Sequence, residues 1–390
     1  MFWKTATAIL LGSLWLAPIN AVAQNASSPA KTDAALVKLL ESVASRYHAK
    51  HADTAIAVGI ISDGQQRVLL KGDASAGAPA TADSLFEIGS ITKAFTGTML
   101  ARLINDGRIK LDDPANSHLP DLLQLPDWKK KSISILDLAT HRSSLPIQPP
   151  YLPLHAVMSG TAANPYSAYK QSDLEKMLKK LKLDRAPGEK YEYSNLGAGL
   201  LGHAIVHKTG DDYESAVGKL LLKPLKMEST VISLKPEGLS KRLAVPHLPN
   251  GQPVSVWDFA CLKGCGALRS SVNDMLTFAK VCLEADEDSD DPIRKALALA
   301  MSPRPEFKGK TTRVGLFWHI TKRNSGDIVW HNGGTGGSRS YFGINPSTKQ
   351  AIVILTNCNV PVDRMGFDLL DDLADARKPD GKPNAADATK

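Results

Sequence analysis

Apolar positions change their period along this chain, and the changes divide it into elements. A helical period over about residues 34–47 precedes apolar runs at residues 54–62 and 67–70. Asp63-Gly64 lies between those two runs and predicts a β-hairpin. After Gly89 the apolar residues Ile91, Phe95, Met99, Leu100 and Leu103 recur three and four apart, the spacing of one helix face. From about residue 106 to 285 the pattern is mostly helix and loop, with a proline-rich stretch at 146–153 and a solvated acidic run at 284–291. Short apolar runs then return at 314–320, 328–330, 341–345 and 351–356, followed by a helix at 367–376. The predicted fold class is α/β of the α+β kind. One antiparallel sheet, flanked by helices, is built from both ends of the chain, and an all-helical lobe is inserted. The sheet lobe takes residues 33–105 and 292–376, the helical lobe 106–291. A cleft between them is a common ligand site.

The two ends are different in kind. Residues 1–23 read as a secretory signal, with Lys4 in the basic region, an apolar core from Ala6 to Leu16, and Ala21-Val22-Ala23 before a cut at Gln24. Residues 24–32 read as a flexible leader and 377–390 as a disordered polar tail. The expected mature protein is soluble and exported, in a periplasm, with no stable membrane insertion. Without Lys4 the formal charge falls from +7 to +6, and no basic cluster stands out, so nucleic acid is not an expected partner. A mildly basic surface suits anionic envelope substrates. Oligomeric state cannot be read from the sequence. Of the four cysteines, Cys261 and Cys265 are close enough for a local bridge; free buried thiols are the alternative. No Cys/His spacing matches a zinc site, so no metal is expected.

The chemistry concentrates in three segments. Ser90-Ile91-Thr92-Lys93 opens the helix after Gly89, and residues three apart share a helix face. A serine hydroxyl becomes a nucleophile when a base takes its proton, and a buried lysine can be neutral enough to do so. Two other Ser-x-x-Lys sequences, at Ser28 and Ser167, have no comparable surroundings. The second segment is Tyr193-Ser194-Asn195. Of eight tyrosines only Tyr193 has asparagine two residues on. A phenol can relay a proton and an amide can hold both lysine and substrate carbonyl. The third is His331-Asn332-Gly333-Gly334, after the apolar residues 328–330, where glycines let backbone approach a substrate and donate to an oxyanion.

Ser-x-x-Lys, Tyr-x-Asn and a cationic residue-x-Gly, in this order, resemble the penicillin-recognising serine enzymes. The look is that of class C β-lactamases and their relatives among D,D-peptidases and esterases. Leu136 to Gln148, Leu220 to Met227, and Gly333 through Tyr341 add to it, and the similarity spans about residues 35–375. The resemblance implies Ser90 as nucleophile, with Lys93 and Tyr193 sharing acid–base work. It implies Gln148 and Asn195 on the substrate amide, and the N–H groups of Ser90 and Gly334 as oxyanion hole. His331, with Asn332 and Gly333, would bind an anionic group. It implies no cofactor. The expected substrate is a small β-lactam or, alternatively, a D-amino-acid peptide or an ester; a non-hydrolysing penicillin-binding sensor or an exported binding module are the non-enzymatic readings. Two departures stand out: His331 and Asn332 occupy places where lysine and threonine are usual in class C enzymes. Lys208-Thr209-Gly210 is not the third motif, because it falls at a helix end, where glycine is a stop signal.

Overall fold

The computed structural model describes residues 29–235, 238–304 and 312–377. The expected signal segment lies outside the described residues, as does the tail beyond Arg377. The strands in chain order are β1 (Ile56–Ser62), β2 (Gln65–Lys71), β3 (Asp73–Ser75), β4 (Ala78–Pro79), β5 (Phe86–Glu87), β6 (Arg269–Ser270), β7 (Thr312–Val314), β8 (His319–Arg323), β9 (Gly326–Gly334), β10 (Arg339–Asn345) and β11 (Gln350–Thr356). The helices are α1 (Pro29–Lys50), α2 (Thr92–Asn105), α3 (Ile135–Ala139), α4 (Leu152–Met158), α5 (Gln171–Leu178), α6 (Asn195–Thr209), α7 (Tyr213–Val217), α8 (Val272–Leu283), α9 (Pro292–Met301) and α10 (Asp363–Asp375).

Seven strands form one antiparallel sheet in the order β2-β1-β11-β10-β9-β8-β7, so the two ends of the chain are knitted by the β1–β11 ladder, Ile56 opposite Thr356. The β1–β2 hairpin forms where expected. Asp63 (φ 53°) and Gly64 (φ 73°) both take the left-handed conformation of a tight two-residue hairpin turn. β1 and β11 are buried along their whole length, which is why their sequences are continuously apolar instead of alternating. One face packs on α1 and α10 through Ile56, Val58, Ile60, Ile352 and Ile354. The other face, with Ala57, Val353, Leu355 and Phe342, joins one core that continues into the helices around α2 and α6.

Several expectations shift. α1 covers Pro29–Lys50, so the end of the expected leader is helical. α8 lies on the sheet and not in the helical lobe: a Cβ added at Gly59 would come within 2.8 Å of Val272. The apolar run 314–320 is not one strand. β7 ends at Val314 and β8 begins at His319, because Leu316 and Phe317 give their N–H groups to Ala300 and Ala139 (2.7 Å each) and bury against helices. Periodicity cannot distinguish a run buried by a sheet from one buried by helices. Arg377, expected to open a free tail, is tied to the Thr348 carbonyl and to Asp63. All four cysteines are free thiols, so no Cys261–Cys265 bridge is present.

Candidate active site

A one-turn 3-10 segment, Gly89–Ile91, leads into α2 and carries Ser90. Gly89 has φ +49°, and a Cβ there would meet the Gly334 nitrogen at 2.7 Å. A Cβ at Gly333 would come within 2.0 Å of the Ile88 carbonyl oxygen. The glycines of the first and third motifs therefore let the end of β9 lie against the backbone beside Ser90. β9 continues through His331 to Gly334, so the motif forms the end of the strand. Ser340 Oγ clamps the same place by donating to the Ile88 carbonyl at 2.9 Å.

Lys93 is fully buried one turn below Ser90. Its Nζ lies 3.0 Å from Ser90 Oγ, 2.7 Å from Asn195 Oδ1 and 2.6 Å from the Cys265 carbonyl oxygen. Burial pulls its pKa down to about 8. Two of its neighbours, the amide and peptide oxygens, can only accept. A neutral amine has two N–H donors and one lone pair. When Lys93 is neutral, the two oxygens take its donors and the lone pair is left facing the Ser90 hydroxyl. The arrangement can thus accept the serine proton.

Tyr193 donates from its hydroxyl to Ser90 Oγ at 2.8 Å, and its ring lies 4.8 Å from Lys93 Nζ. Burial pushes the phenol pKa up, so it keeps its proton. Tyr193 arrives on the extended segment that enters α6, whose N-cap Ser194 accepts from the Gly197 N–H at 2.8 Å. Asn195, first residue of α6, gives its Nδ2 to the Tyr166 hydroxyl at 3.2 Å. Gly210, at φ 75°, ends α6 as a left-handed cap, which leaves Lys208-Thr209 far from this cluster in role.

Ser90, Lys93, Tyr193 and Asn195 are brought together, with Gly333 and Gly334 against the Ser90 segment; Gln148, Asn332 and His331 are placed differently. Asn195 N–H donates to the Ile147 carbonyl at 2.6 Å, which holds Gln148 beside the first turn of α6. The Gln148 side chain is half-exposed and makes no hydrogen bond to the cluster. Asn332 alternates to the opposite face of β9 from His331, and its carboxamide joins none of these bonds. His331 is 0 % exposed. Burial, His319 and Lys93 hold its pKa well below the usual imidazole value. Its Nδ1 lies 2.6 Å from the Asn332 carbonyl. That shift favours the uncharged ring over the cation that the third motif carries in class C enzymes, because a charged imidazole would lose its hydration next to a lysine.

Residues that motif reading passed over complete the site. Glu87 on β5 is buried, and burial raises its pKa. Its carboxylate accepts from Trp257 N–H (2.6 Å) and Thr335 Oγ1 (2.7 Å), so it ties the β9–β10 turn to the Ser90 segment. The Cys265 carbonyl and Tyr166 carry no motif signal at all. Arg339 on β10 pairs with Gly334, and a Cβ at Gly334 would run into its guanidinium. Its Nε has no hydrogen-bond partner.

The Beta-lactamase family profile matches residues 40–375. The chain belongs to the beta-lactamase family. Among relatives, the D-alanyl-D-alanine-carboxypeptidase/endopeptidase AmpH of Escherichia coli (strain K12) is 28% identical over 312 residues, 76% of this chain and 78% of that one. A beta-lactamase of Pseudomonas fluorescens is 27% identical over 338 residues, 78% of this chain and 89% of the other. A solved class C beta-lactamase superposes with a TM-score of 0.74 at 21% identity, covering 86% of this chain and 96% of that structure. Beta-lactamase-family membership and the class C fold make the chain a serine hydrolase of the beta-lactamase/penicillin-binding type.

Three buried imidazoles surround the site of this family member. The His319 ring is 4.8 Å from His331, and His141 is 4.5 Å from the Tyr193 ring. His141 Nδ1 accepts from the Ser194 N–H at 3.1 Å. Burial lowers the pKa of His319 to about 4 and those of His141 and His331 well below 6.5. Depressed folded values mean that the unfolded chain binds more protons, so stability is complete above about 6.5 and is lost as pH falls toward 4. For His319 alone the gap between 6.5 and about 4 corresponds to roughly 3 kcal/mol, at about 1.36 kcal/mol per pH unit. Melting temperature, followed by circular dichroism, should fall steadily from pH 7 to 4.5. A flat profile would show that the imidazoles are not held neutral.

Proposed function

We propose that this protein is an exported serine hydrolase that opens β-lactam amides through an acyl-enzyme on Ser90. The observation that carries the reading is the convergence of Lys93 and Tyr193 on one half-buried serine hydroxyl, with Asn195 holding the Lys93 amine. Ser90 Oγ attacks the carbonyl carbon while its proton passes to neutral Lys93. The N–H groups of Ser90 and Gly334 take the oxyanion, as the approach of Gly89 to Gly334 favours. The C–N bond breaks and the leaving nitrogen takes the Tyr193 proton, which the Lys93 ammonium then replaces. In the second half water attacks the ester carbonyl and gives its proton to neutral Lys93, and the acyl C–O bond breaks as that proton passes to Ser90 Oγ. Asn195, whose Nδ2 keeps one N–H free, and Gln148 at the cleft margin hold the substrate amide.

A D,D-carboxypeptidase or endopeptidase acting on peptidoglycan peptides is the second reading. The neutral, buried His331 favours it, since the class C pattern has a lysine there, and the similarity to AmpH points the same way. Both substrate classes carry an anionic group. With His331 uncharged, Arg339 beside Gly334 is the cation at hand for it.

Turnover of nitrocefin, a D-Ala-D-Ala peptide and a short nitrophenyl ester by the purified protein tests the reading. Nitrocefin should turn over fastest; a peptide turned over while nitrocefin only acylates would select the peptidase. Arg339→Ala should lower kcat/KM for the anionic substrates by roughly 10- to 100-fold, the scale of a charge-assisted hydrogen bond. The neutral ester should change little. Equal losses on all three would remove Arg339 from anion binding.

A further inference from the structure

Eight large apolar side chains are exposed among the described residues, and five of them lie between residues 147 and 158: Ile147, Tyr151, Leu154, Val157 and Met158, from 53% to 79% exposed. α4 explains the pattern. It buries Leu152 and Ala156 and turns its other side outward. Leu154, Val157 and Met158 stand three and four apart on α4, so they form one ridge, with Tyr151 at the N-cap before it. Apolar patches of this kind mark interaction sites.

The surroundings say what the ridge fits. His155 of α4 is 3.5 Å from the Asp173 carboxylate of α5, and its ring meets Tyr169 edge-on at 5.5 Å. α4 and α5 therefore present neighbouring surfaces. Lys176 follows Asp173 by three residues on the same face of α5. Lys170, Lys176, Lys179, Lys180 and Lys182 are all exposed, against only Asp173 and Glu175 in the same stretch. Asp173 is engaged with His155, and Glu175 with Gln171 at 3.1 Å. An apolar ridge with a lysine fringe has the composition of an interfacial element. Its apolar side chains enter the acyl boundary and its ammonium groups meet anionic headgroups. No described helix is long and apolar enough to cross a membrane, so such contact is peripheral.

We propose that α4 and the α5 lysines dock the protein reversibly on an anionic lipid bilayer. The ridge begins at Ile147, whose carbonyl holds the Asn195 N–H at 2.6 Å, so docking brings the cleft margin to the membrane surface. The proposal does not depend on which substrate is hydrolysed.

Co-sedimentation of the exported protein with vesicles tests it. The protein should bind phosphatidylglycerol-containing vesicles at low salt, be released by high salt, and bind phosphatidylcholine vesicles at least about tenfold less. L154S/M158S should lower partition roughly tenfold or more, and K176Q/K180Q should do the same. Both variants should keep wild-type melting temperature and turnover of a soluble substrate. Absent or headgroup-independent binding overturns the proposal, and so does wild-type binding by L154S/M158S. If light scattering finds a dimer that L154S/M158S converts to monomer while vesicle binding persists, the ridge joins two copies of this chain and the proposal fails.

Discussion

Ser90→Ala should abolish labelling by a fluorescent penicillin or a fluorophosphonate and lower turnover by roughly 10⁴-fold or more, the scale seen when a nucleophile is removed from a working cluster. No other hydroxyl can replace it. Ser90 Oγ lies within hydrogen-bond distance of both the Tyr193 hydroxyl and the Lys93 amine, and Ser194, beside Tyr193 in sequence, spends its hydroxyl on the Pro146 carbonyl at 2.7 Å. The fold should tolerate the change, because alanine removes one oxygen from a half-buried position. Equal labelling of the variant would sink the assignment, and labelling at Ser167 would redirect it.

Lys93→Ala should cost roughly 100-fold or more in turnover, the usual scale for general acid–base work. Its pH dependence is the sharper readout. If neutral Lys93 takes the serine proton, kcat/KM rises with pH through a midpoint near the value of about 8 that burial imposes. Below that midpoint it should fall about tenfold per pH unit. The Lys93→Ala limb should vanish. Activity that falls as pH rises through 8 would mean that the ammonium is the working form, and the proton assignment would be reversed. Tyr193→Phe should lower turnover on a similar scale and leave the limb in place, since its phenol keeps its proton over this range. Circular dichroism guards the comparison, because Lys93→Ala leaves the Asn195 and Cys265 oxygens without their shared donor.

Much of the architecture was legible because its signals are local. Asp63-Gly64 predicts its own turn, and the Ile91, Phe95, Met99 and Leu103 stripe predicts α2 from helix geometry alone. Gly210 at the end of α6 was enough to set aside Lys208-Thr209 as a motif. The errors share a different cause. The run at 314–320 has the pattern of a strand because a backbone buried against helices leaves the same apolar trace as one buried in a sheet. The position of α8 in the chain, next to the helical lobe, says nothing about the face of the sheet that it covers.

The candidate site divides in the same way. By itself, the sequence determined that Ser90 and Lys93 share a helix face and that Tyr193 and Asn195 flank the start of another helix, since both facts follow from spacing. Only the tertiary structure decided their electrostatics. The pKa of Lys93 is pulled down to about 8, and that of His331 well below the usual imidazole value, by how completely each is removed from water. The oxygens that fix the Lys93 amine include a peptide carbonyl at Cys265, 172 residues away in sequence. A main-chain carbonyl is present at every residue, so no side-chain pattern can mark the one that will matter. Desolvation is likewise a property of the assembled packing, and the same histidine at a strand end would titrate normally if the strand lay in solvent.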